Sequence, residues 1–523
     1  MKGFSKKATS LLILVLMSFQ LSAQEATSSS SDLFLYGLVG IAVLLFIGAL
    51  FNVPSLAQMK AKKTLSYAAG KTVTSLTKGY DISLEGEAEN GIETALSVTR
   101  YAIQPPNFRG LQPIPKMTVA IGDSVKAGDQ LFFDKQMADI QFVAPVSGEV
   151  IELNRGAKRA IVEVVILADK DQQYRSYQVP DINASREELL GFMKESGAWS
   201  LLHQRPYNII PNPADTPRDI FISTFNSAPL APNMNLIIEG NEAAFQMGID
   251  VLAKLTSGKV YLGLDGRGDK APSVAFADVK NAETSYFTGK HPVGNVGVQI
   301  HHTAAIGEDI VWTVGVQEVI ILGRLFKDGR FDTSRVVALT GAELKKPIHV
   351  RTYAGANIGE LLKDNLSNDH VRFISGDVLS GEQKSENAYL NWYDNQVTVV
   401  EEGDDYEMFG WIVPSEARPT LSGSFLSTMI GTNAKKKFKV NTNMHGGERA
   451  FVTPTDYEQV MPMDIYVQHL MKAIIVNDFE RMEGLGLKEL VEEDVALCEF
   501  ACVSKQPLQS ILREGLDVMR EQS

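Results

Sequence analysis

Val119-Ala-Ile-Gly-Asp-Ser-Val-Lys-Ala-Gly-Asp-Gln-Leu131 is followed closely by Phe142-Val-Ala-Pro-Val-Ser-Gly-Glu-Val-Ile151, and these two stretches decide the reading of the fold. Gly122-Asp123 and Gly128-Asp129 are turn dipeptides that bracket short apolar strands. Gly148 stands where a hairpin must turn sharply, a conformation that glycine reaches without a Cβ clash, and Val150-Ile151 resume the strand. A β-rich module over residues 76–170 is expected around them.

The pairing of G-D-x-V-x-x-G-x-x-L with A-P-x-x-G-x-V resembles the barrel-sandwich hybrid domain of biotinyl and lipoyl carriers. A carrier of that kind would hold its group on Lys135, in Asp134-Lys135. The spacing argues otherwise. Lys135 follows Leu131 too closely, and the segment from Gln136 to Gln141 separates it from Phe142, so the lysine is not centred between the half-motifs. The fold resemblance is kept and the modification site is not.

Upstream, the sequence reads as membrane chemistry. Lys2, Lys6 and Lys7 precede an apolar run from Leu11 to Met17, and Ser22-Ala23-Gln24 follows, the pattern of a secretory leader over residues 1–24. A second apolar run, Leu33 to Val53, carries no charge and is long enough to span a bilayer. A transmembrane helix over residues 33–55 is expected. Lys60, Lys62 and Lys63 follow it, and the positive-inside bias puts that side in the cytoplasm. Whether the leader is cleaved or forms a hairpin with the second run, the main body is cytoplasmic. Residues 56–75 are polar and irregular, and read as a linker.

Downstream, residues 171–332 alternate between helix and strand. Leu189, Leu190, Phe192 and Met193 suit a short helix between Ser185 and Trp199. A proline-rich loop, Arg205 to Pro213, follows. Asp219 to Thr224 is a buried strand. Asn241 to Leu255 is a helix with Ala244, Met247, Val251 and Leu255 on one face, and Lys259 to Gly263 is the next strand. This is the βαβ rhythm of a Rossmann-like layer. Gly263-Leu-Asp-Gly-Arg-Gly268 is glycine-rich, but Asp269 to Pro272 start no helix after it and the spacing is not G-x-G-x-x-G, so it reads as a turn. Gly289 to Gly297 leads into Val298-Gln-Ile-His301-His302, expected as a strand. Its adjacent histidines would face opposite sides and take a structural or interface role rather than share a metal. Trp312 to Gly323 is strongly apolar and is expected to be helical or buried.

Residues 333–385 read as a small β-grasp module. Its strands are Val336–Leu339, His349–Thr352 and Val371–Ile374, and a short helix lies within 355–362. A mixed connecting region, 386–455, precedes a helical domain, 456–523, with helices expected at Val460–Asn477, Phe479–Gly484, Leu487–Leu497 and Leu508–Glu521. The fold class is α+β and multidomain, preceded by the transmembrane helix.

Composition narrows the function. The 523 residues carry a net charge of −13, which argues against nucleic acid as a partner. Two cysteines, Cys498 and Cys502, exclude a disulfide framework and a self-contained cubane cluster, which needs about four thiolates. In a cytoplasmic body both are reduced thiols, and their role stays open.

Several ordered stretches together resemble the A subunit of the sodium-translocating NADH:quinone oxidoreductase family. They are Lys78-Gly79-Tyr80-Asp81 with Leu84 and Gly86, Ile121 to Leu131, Ala144-Pro145 to Gly148, Asn154-Arg155-Gly156, and Arg205-Pro206-Tyr207 with Pro211. Further on come Gly289 to Gly294 with His301-His302, Arg335 to Leu339, Met461-Pro462, and Glu492-Glu493-Asp494 with Cys498 and Cys502. The resemblance runs from Leu76 to Glu521. It implies a six-subunit, membrane-bound complex in which electrons pass from NADH through flavins and iron centres in other subunits to quinone while sodium leaves the cytoplasm. The family's A subunit is similar in layout to the flavin- and NADH-binding subunit of respiratory complex I, without its flavin and cluster sites, and is associated with the quinone end. Val503 agrees, standing where a cluster-binding run would often carry proline. The resemblance therefore implies one component of an NADH:ubiquinone reductase (Na+-transporting) translocase, with no complete active site of its own. It implies no bound cofactor, no catalytic or metal residue, and quinone contacts that the sequence does not identify. Subunits B to F, quinone and, through residues 33–55, membrane lipid are its partners. The leader and helix before Ala57 are additions, since most members begin near the equivalent of Lys78. The rival readings are a membrane-anchored scaffold and a degenerate flavin- or NADH-binding protein.

Overall fold

The structure, a computed structural model, describes residues 65–94, 98–111, 114–404, 407, 418–421, 437–452 and 456–522. The leader and the apolar run 33–55 lie outside the described residues. Among those described, no helix is long and apolar enough to cross a membrane.

The described chain opens with β1 (Val73–Ser75) and β2 (Glu89–Thr94), two strands that leave for distant sheets. The barrel-sandwich follows, from β3 (Arg100–Ile103), β4 (Lys116–Met117), β5 (Ser124–Val125), β6 (Gln130–Phe133), β7 (Gln141–Val143), β8 (Gly148–Arg155) and β9 (Ile161–Ala168). They form one sheet ordered β3-β9-β8-β5 and another ordered β4-β6-β7. Leu131, Phe132, Phe142, Val150, Val164 and Ile166 are buried, with Phe132 stacked on Phe142 at 5.0 Å. Gly148 has φ +155°, and a Cβ there would lie 2.0 Å from the Leu167 carbonyl oxygen, so glycine is required where β8 meets β9.

The next layer comprises α1 (Arg186–Glu195), β10 (His203–Arg205), β11 (Ile220–Ser223), α2 (Met234–Ile237), α3 (Glu242–Leu255), β12 (Val260–Asp265), α4 (Val274–Ala277), β13 (Glu283–Thr288), α5 (Val296–Ala304), β14 (Val311–Thr313) and α6 (Val316–Asp328). Ser185 caps α1 by accepting from the Glu188 N–H at 3.2 Å. The sheet order is β1-β13-β12-β11-β14-β10, parallel except for β10. The chain builds outward from β11 to β13 and then crosses back to place β14 on the other side of β11. This makes a topological switch point between β11 and β14.

Three expectations are corrected here. His301 and His302 lie on α5, not on a strand. The β-branched run Val296, Val298, Ile300 favours a strand by propensity, but burial of Val298 and Ile300 is met equally well by a helix. Val73–Ser75, read within a linker, is an edge strand paired with β13. On α3, Met247 is only half-buried, and Phe245, Gly248, Ile249 and Leu252 complete the buried face. The apolar stretch from Trp312 divides at Gly315 into β14 and α6.

A six-stranded mixed sheet follows, built from β15 (Ser334–Thr340), β16 (Ile348–Tyr353), β17 (Val371–Ser375), β18 (Glu382–Lys384) and β19 (Gln396–Glu401), with α7 (Ile358–Leu361) between β16 and β17. Its order, β18-β17-β19-β15-β16-β2, extends the expected module in two ways. β19, from the region read as connecting, sits at its centre, and β2 closes one edge.

The C-terminal helices are α8 (Tyr457–Val460), α9 (Val467–Ile475), α10 (Phe479–Gly484), α11 (Glu492–Ala501) and α12 (Leu508–Gln522). They share a core that includes Leu470, Met471, Met482, Leu497, Leu512 and Leu516 and that also takes in Leu84, Tyr207 and Val298 from earlier in the chain. The helix expected from Val460 begins only at Val467, because Tyr457–Val460 closes a separate turn and Pro462 lacks the donor to carry it on. The expected Leu487 helix is a single 3-10 turn before α11.

Candidate functional site

Glu492, Glu493 and Asp494 form the acidic first turn of α11, a position favoured by the helix dipole. They face Arg205, the last residue of β10, which is 2% exposed. Arg205 Nη1 donates to Asp494 Oδ2 at 3.0 Å, and Nη2 donates to Glu493 Oε1 at 2.9 Å. Asp494 Oδ2 also accepts the Val491 N–H at 3.0 Å. Glu492 is flanked by Arg109 at 2.7 Å and Arg513 at 3.5 Å. Burial works against the Arg205 charge, but Asp494 and then Glu493 outweigh it and hold the guanidinium above its usual range.

This ion-pair group walls a cavity of about 750 Å³ where the modules meet. The barrel-sandwich supplies Asn107 and Arg109, and the α/β layer supplies His203, Arg205, Asn226, Val296 and Thr313. Asp377, Glu382, Lys384, Tyr393 and Asp394 come from the mixed sheet, and Val491 to Glu493 from the helical domain. Thr313 ends β14, Asn226 follows β11 and Val296 begins α5, so the cavity opens at the switch point, on the carboxyl side of the strands. Open α/β sheets bind their ligands in that crevice, with phosphates at the helix N-terminus. Here a carboxylate stands against that helix. A Cβ on Gly297, in the first turn of α5, would come 2.5 Å from Asp494 Oδ2 and 2.6 Å from Arg205 Nη1.

Within the cavity, protonation is uneven. Burial, then the Asp494 charge, push the Glu493 carboxyl up to about 7 against the pull of Arg205. Burial likewise lifts Asp394 to about 6, although Ser375 and Asn391 hydrogen-bond it. Burial, then Arg109 and Arg205, hold His203 down to about 3, so its ring is neutral. Its ring centroid lies 4.2 Å from that of Tyr393, whose hydroxyl donates to the Ser200 carbonyl at 2.6 Å.

The stretches singled out in sequence meet one another. Arg205-Pro206-Tyr207 meets Glu492-Glu493-Asp494 through the pairs above. Lys78 to Asp81 meets the loop Gly289 to Gly294. The Tyr80 N–H donates to the His291 carbonyl at 2.9 Å, and the His291 N–H donates to Asp81 Oδ1 at 2.9 Å. His301 Nδ1 lies 2.7 Å from Glu489 Oε2 and His302 Nε2 lies 2.8 Å from the Pro462 carbonyl, so both histidines contact the C-terminal domain. The loop Gly263 to Gly268 is closed on itself. The Gly266 N–H donates to Phe287, Arg267 chelates Asp265 at 3.0 and 2.8 Å, and the Gly268 carbonyl accepts from Tyr67 at 2.9 Å. α4 begins only at Val274. Lys135 is exposed in the loop between β6 and β7. Cys498 and Cys502 are buried free thiols. The Tyr457 hydroxyl donates to Cys502 Sγ at 2.8 Å, and burial pushes the Cys498 thiol up. Among the described residues no three His, Cys, Asp or Glu side chains converge as a metal site.

Sequence reasoning did not assign a role to Arg205, Asp377, Asp394 or Glu493. The one available signal was the run of three acidic residues opening α11, which signals an N-terminus and equally a partner for a buried cation.

Three family models match the chain. They are the NqrA N-terminal barrel-sandwich hybrid domain over residues 74–169, the NqrA second alpha/beta domain over 184–331, and the NQRA C-terminal domain over 336–386. The A subunit of the Na(+)-translocating NADH-quinone reductase of Alcanivorax borkumensis is 37% identical over 447 residues, covering 84% of this chain and 98% of that protein. The same subunit of Psychromonas ingrahamii is 37% identical over 452 residues, covering 86% and 99%. Among solved structures, the air-oxidized NAD+-reducing [NiFe]-hydrogenase overlaps 65% of this chain and 61% of its own at 10% identity and a TM-score of 0.34, a likeness too slight to build on. With three domain models matched in order and near-complete coverage of its relatives, the chain belongs to the NqrA family, the A subunits of Na(+)-translocating NADH-quinone reductases.

Proposed function

We propose that this chain is the cofactor-free A subunit of a respiratory complex that oxidises NADH, reduces quinone and exports sodium, and that it stands near the quinone-reducing end. Its partners are subunits B to F and quinone. Its body lies on the cytoplasmic side of the membrane, held there in part by the apolar run 33–55.

The observation that carries this reading is Asp494 at the switch point. A flavin or nucleotide would place phosphate against the first turn of α5, but the carboxylate of Asp494 already lies there, fixed by Arg205. A second anion would meet direct repulsion. A neutral quinone head meets no such penalty. The cavity offers it donors in Arg109, Asn107 and Lys384, with Val296, Met234 and Pro232 as apolar wall. NADH, flavin and iron chemistry then belong to partner subunits.

Purification from native membranes through a tag after Ser523 tests the reading. The expected result is co-purification of membrane polypeptides that carry the flavins, and labelling of this chain by a photoreactive quinone. Recovery of the chain alone, or with stoichiometric flavin of its own, would overturn it.

A further inference from the structure

We propose that Glu493 is the proton-exchanging group of the junction cavity, handing its proton to the oxygen of a quinone as that quinone is reduced there, with Arg205 as the residue that positions it. This rests on the quinone reading of the cavity.

The geometry carries the assignment. Glu493 is the member of the acidic triplet that combines contact with Arg205 and an open side chain. Its side chain is 42% exposed and lines the cavity, whereas Asp494 is fully buried and Glu492 is 16% exposed, held by Arg109 and Arg513. Arg205 also lines the cavity, is 2% exposed, and its Nε has no hydrogen-bond partner among the described residues.

Enclosure in the cavity wall and the charges around it together show why Glu493 holds a proton. It faces Arg205 from β10, Asp494 and Glu492 from its own helix, and Asp377 from the loop after β17. Arg205 is shared with Asp494, and Glu492 occupies the other two arginines, so Glu493 is left with part of one cation against three carboxylates. Enclosure of the carboxyl in the cavity wall, then the Asp494 charge, raise it to about 7, the value at which a group both gives and regains a proton in neutral solution. Asp494 cannot take this part, because its side chain is fully buried and does not line the cavity.

The step balances. The quinone receives two electrons from a reduced flavin held by another subunit, and it takes two protons. Glu493 supplies one: its O–H bond breaks, an O–H bond forms on the anionic quinone oxygen, and the carboxylate left beside Arg205 regains a proton from water. Water supplies the second proton.

The test uses the assembled complex with wild-type chain, Glu493→Gln and Glu493→Asp. Quinone reduction is followed from about pH 6 to about pH 9, with a photoreactive quinone as the binding probe. The expected result is a loss of about a hundredfold in the Gln variant, with its pH dependence flattened in that window, and partial recovery with a pH dependence in the Asp variant. Labelling of the cavity should be unchanged. Infrared difference spectra should show a protonated carboxyl that titrates near neutrality in the wild type and is absent from Glu493→Gln. Normal rate and pH profile in Glu493→Gln, with labelling intact, would overturn the proton role alone. Labelling confined to partner subunits would overturn the quinone reading and this proposal with it.

Discussion

Gly297 leaves no room for a methyl group, because the Arg205–Asp494 pair stands where its Cβ would go. Gly297→Ala should therefore push that pair apart and destabilise the protein by about 1–3 kcal/mol, measured by denaturant unfolding. Arg205→Met goes further and leaves Asp494 buried with an uncompensated charge, a loss on the order of 3–5 kcal/mol. Adding Asp494→Asn to Arg205→Met should recover part of that loss. An additive double variant would show that the pair is not coupled. Asp394 gives a pH test. Its folded value, about 6, is above the usual carboxylate range, so its contribution to stability is complete below about pH 4 and is lost as the pH rises through about 6. Glu493 acts with the same sign up to about 7. Asp394→Asn should remove the lower part of this decline while Ser375 still donates to the side-chain oxygen. An unchanged slope of unfolding free energy between about pH 4 and about pH 6 would contradict that assignment.

At the scale of elements, legibility follows locality. The helix from Glu242 to Leu255 and the parallel strands β11 and β12 can be read because each signal lies within its own segment, whereas Gly148, read as a hairpin turn, opens strand β8 and is required by the Leu167 carbonyl of the neighbouring strand. β1, β2 and β19 cannot, because each is completed by a partner remote in the chain: Val73 with Tyr286, Glu89 with Ile348, Gln396 with Ala338. α5 reads wrongly because alternating β-branched residues imitate a strand. The site suffers most, since Arg205 and Asp494 are 289 residues apart and no local pattern announces their pairing. The β6–β7 hairpin offers a test at this scale. Asp134 is buried and accepts the Gln136 N–H at 3.0 Å, which pins Lys135 to the start of an uneven loop rather than the tip of a symmetric turn. The intact mass of the chain from native membranes should therefore show no biotinyl or lipoyl addition. An added mass removed by Lys135→Arg would restore the carrier reading.

At the scale of the whole molecule, one expectation concerns cofactors and another the anchor. The body from Leu65 onward should be colourless, since Asp494 fills the switch point and, among the described residues, no three His, Cys, Asp or Glu side chains converge to hold a metal. Stoichiometric flavin or iron in its absorption spectrum would refute this. The anchor prediction depends on where the chain is cut. Deleting Met1 to Lys63 should leave a soluble, folded body that still joins its complex but holds the membrane less firmly. Every described contact survives that cut. Leu65 still packs by Gly266, the Tyr67 hydroxyl still reaches Gly268, and Val73–Ser75 still pair with β13. Extending the deletion through Ser75 removes β1 and exposes the edge of β13, so this longer cut should lower stability and promote aggregation. The apolar run from Leu33 to Val53 is long enough to span a bilayer, and tethering raises the effective concentration of the body at its partners without adding a contact. Loss of the tether should then reduce assembly at low expression more than at high expression. Replacing residues 33–53 with an unrelated apolar helix separates a tether from a specific contact. Full assembly with the replacement is the expected result. Failure at every expression level would mean that the native segment itself is recognised by partner helices.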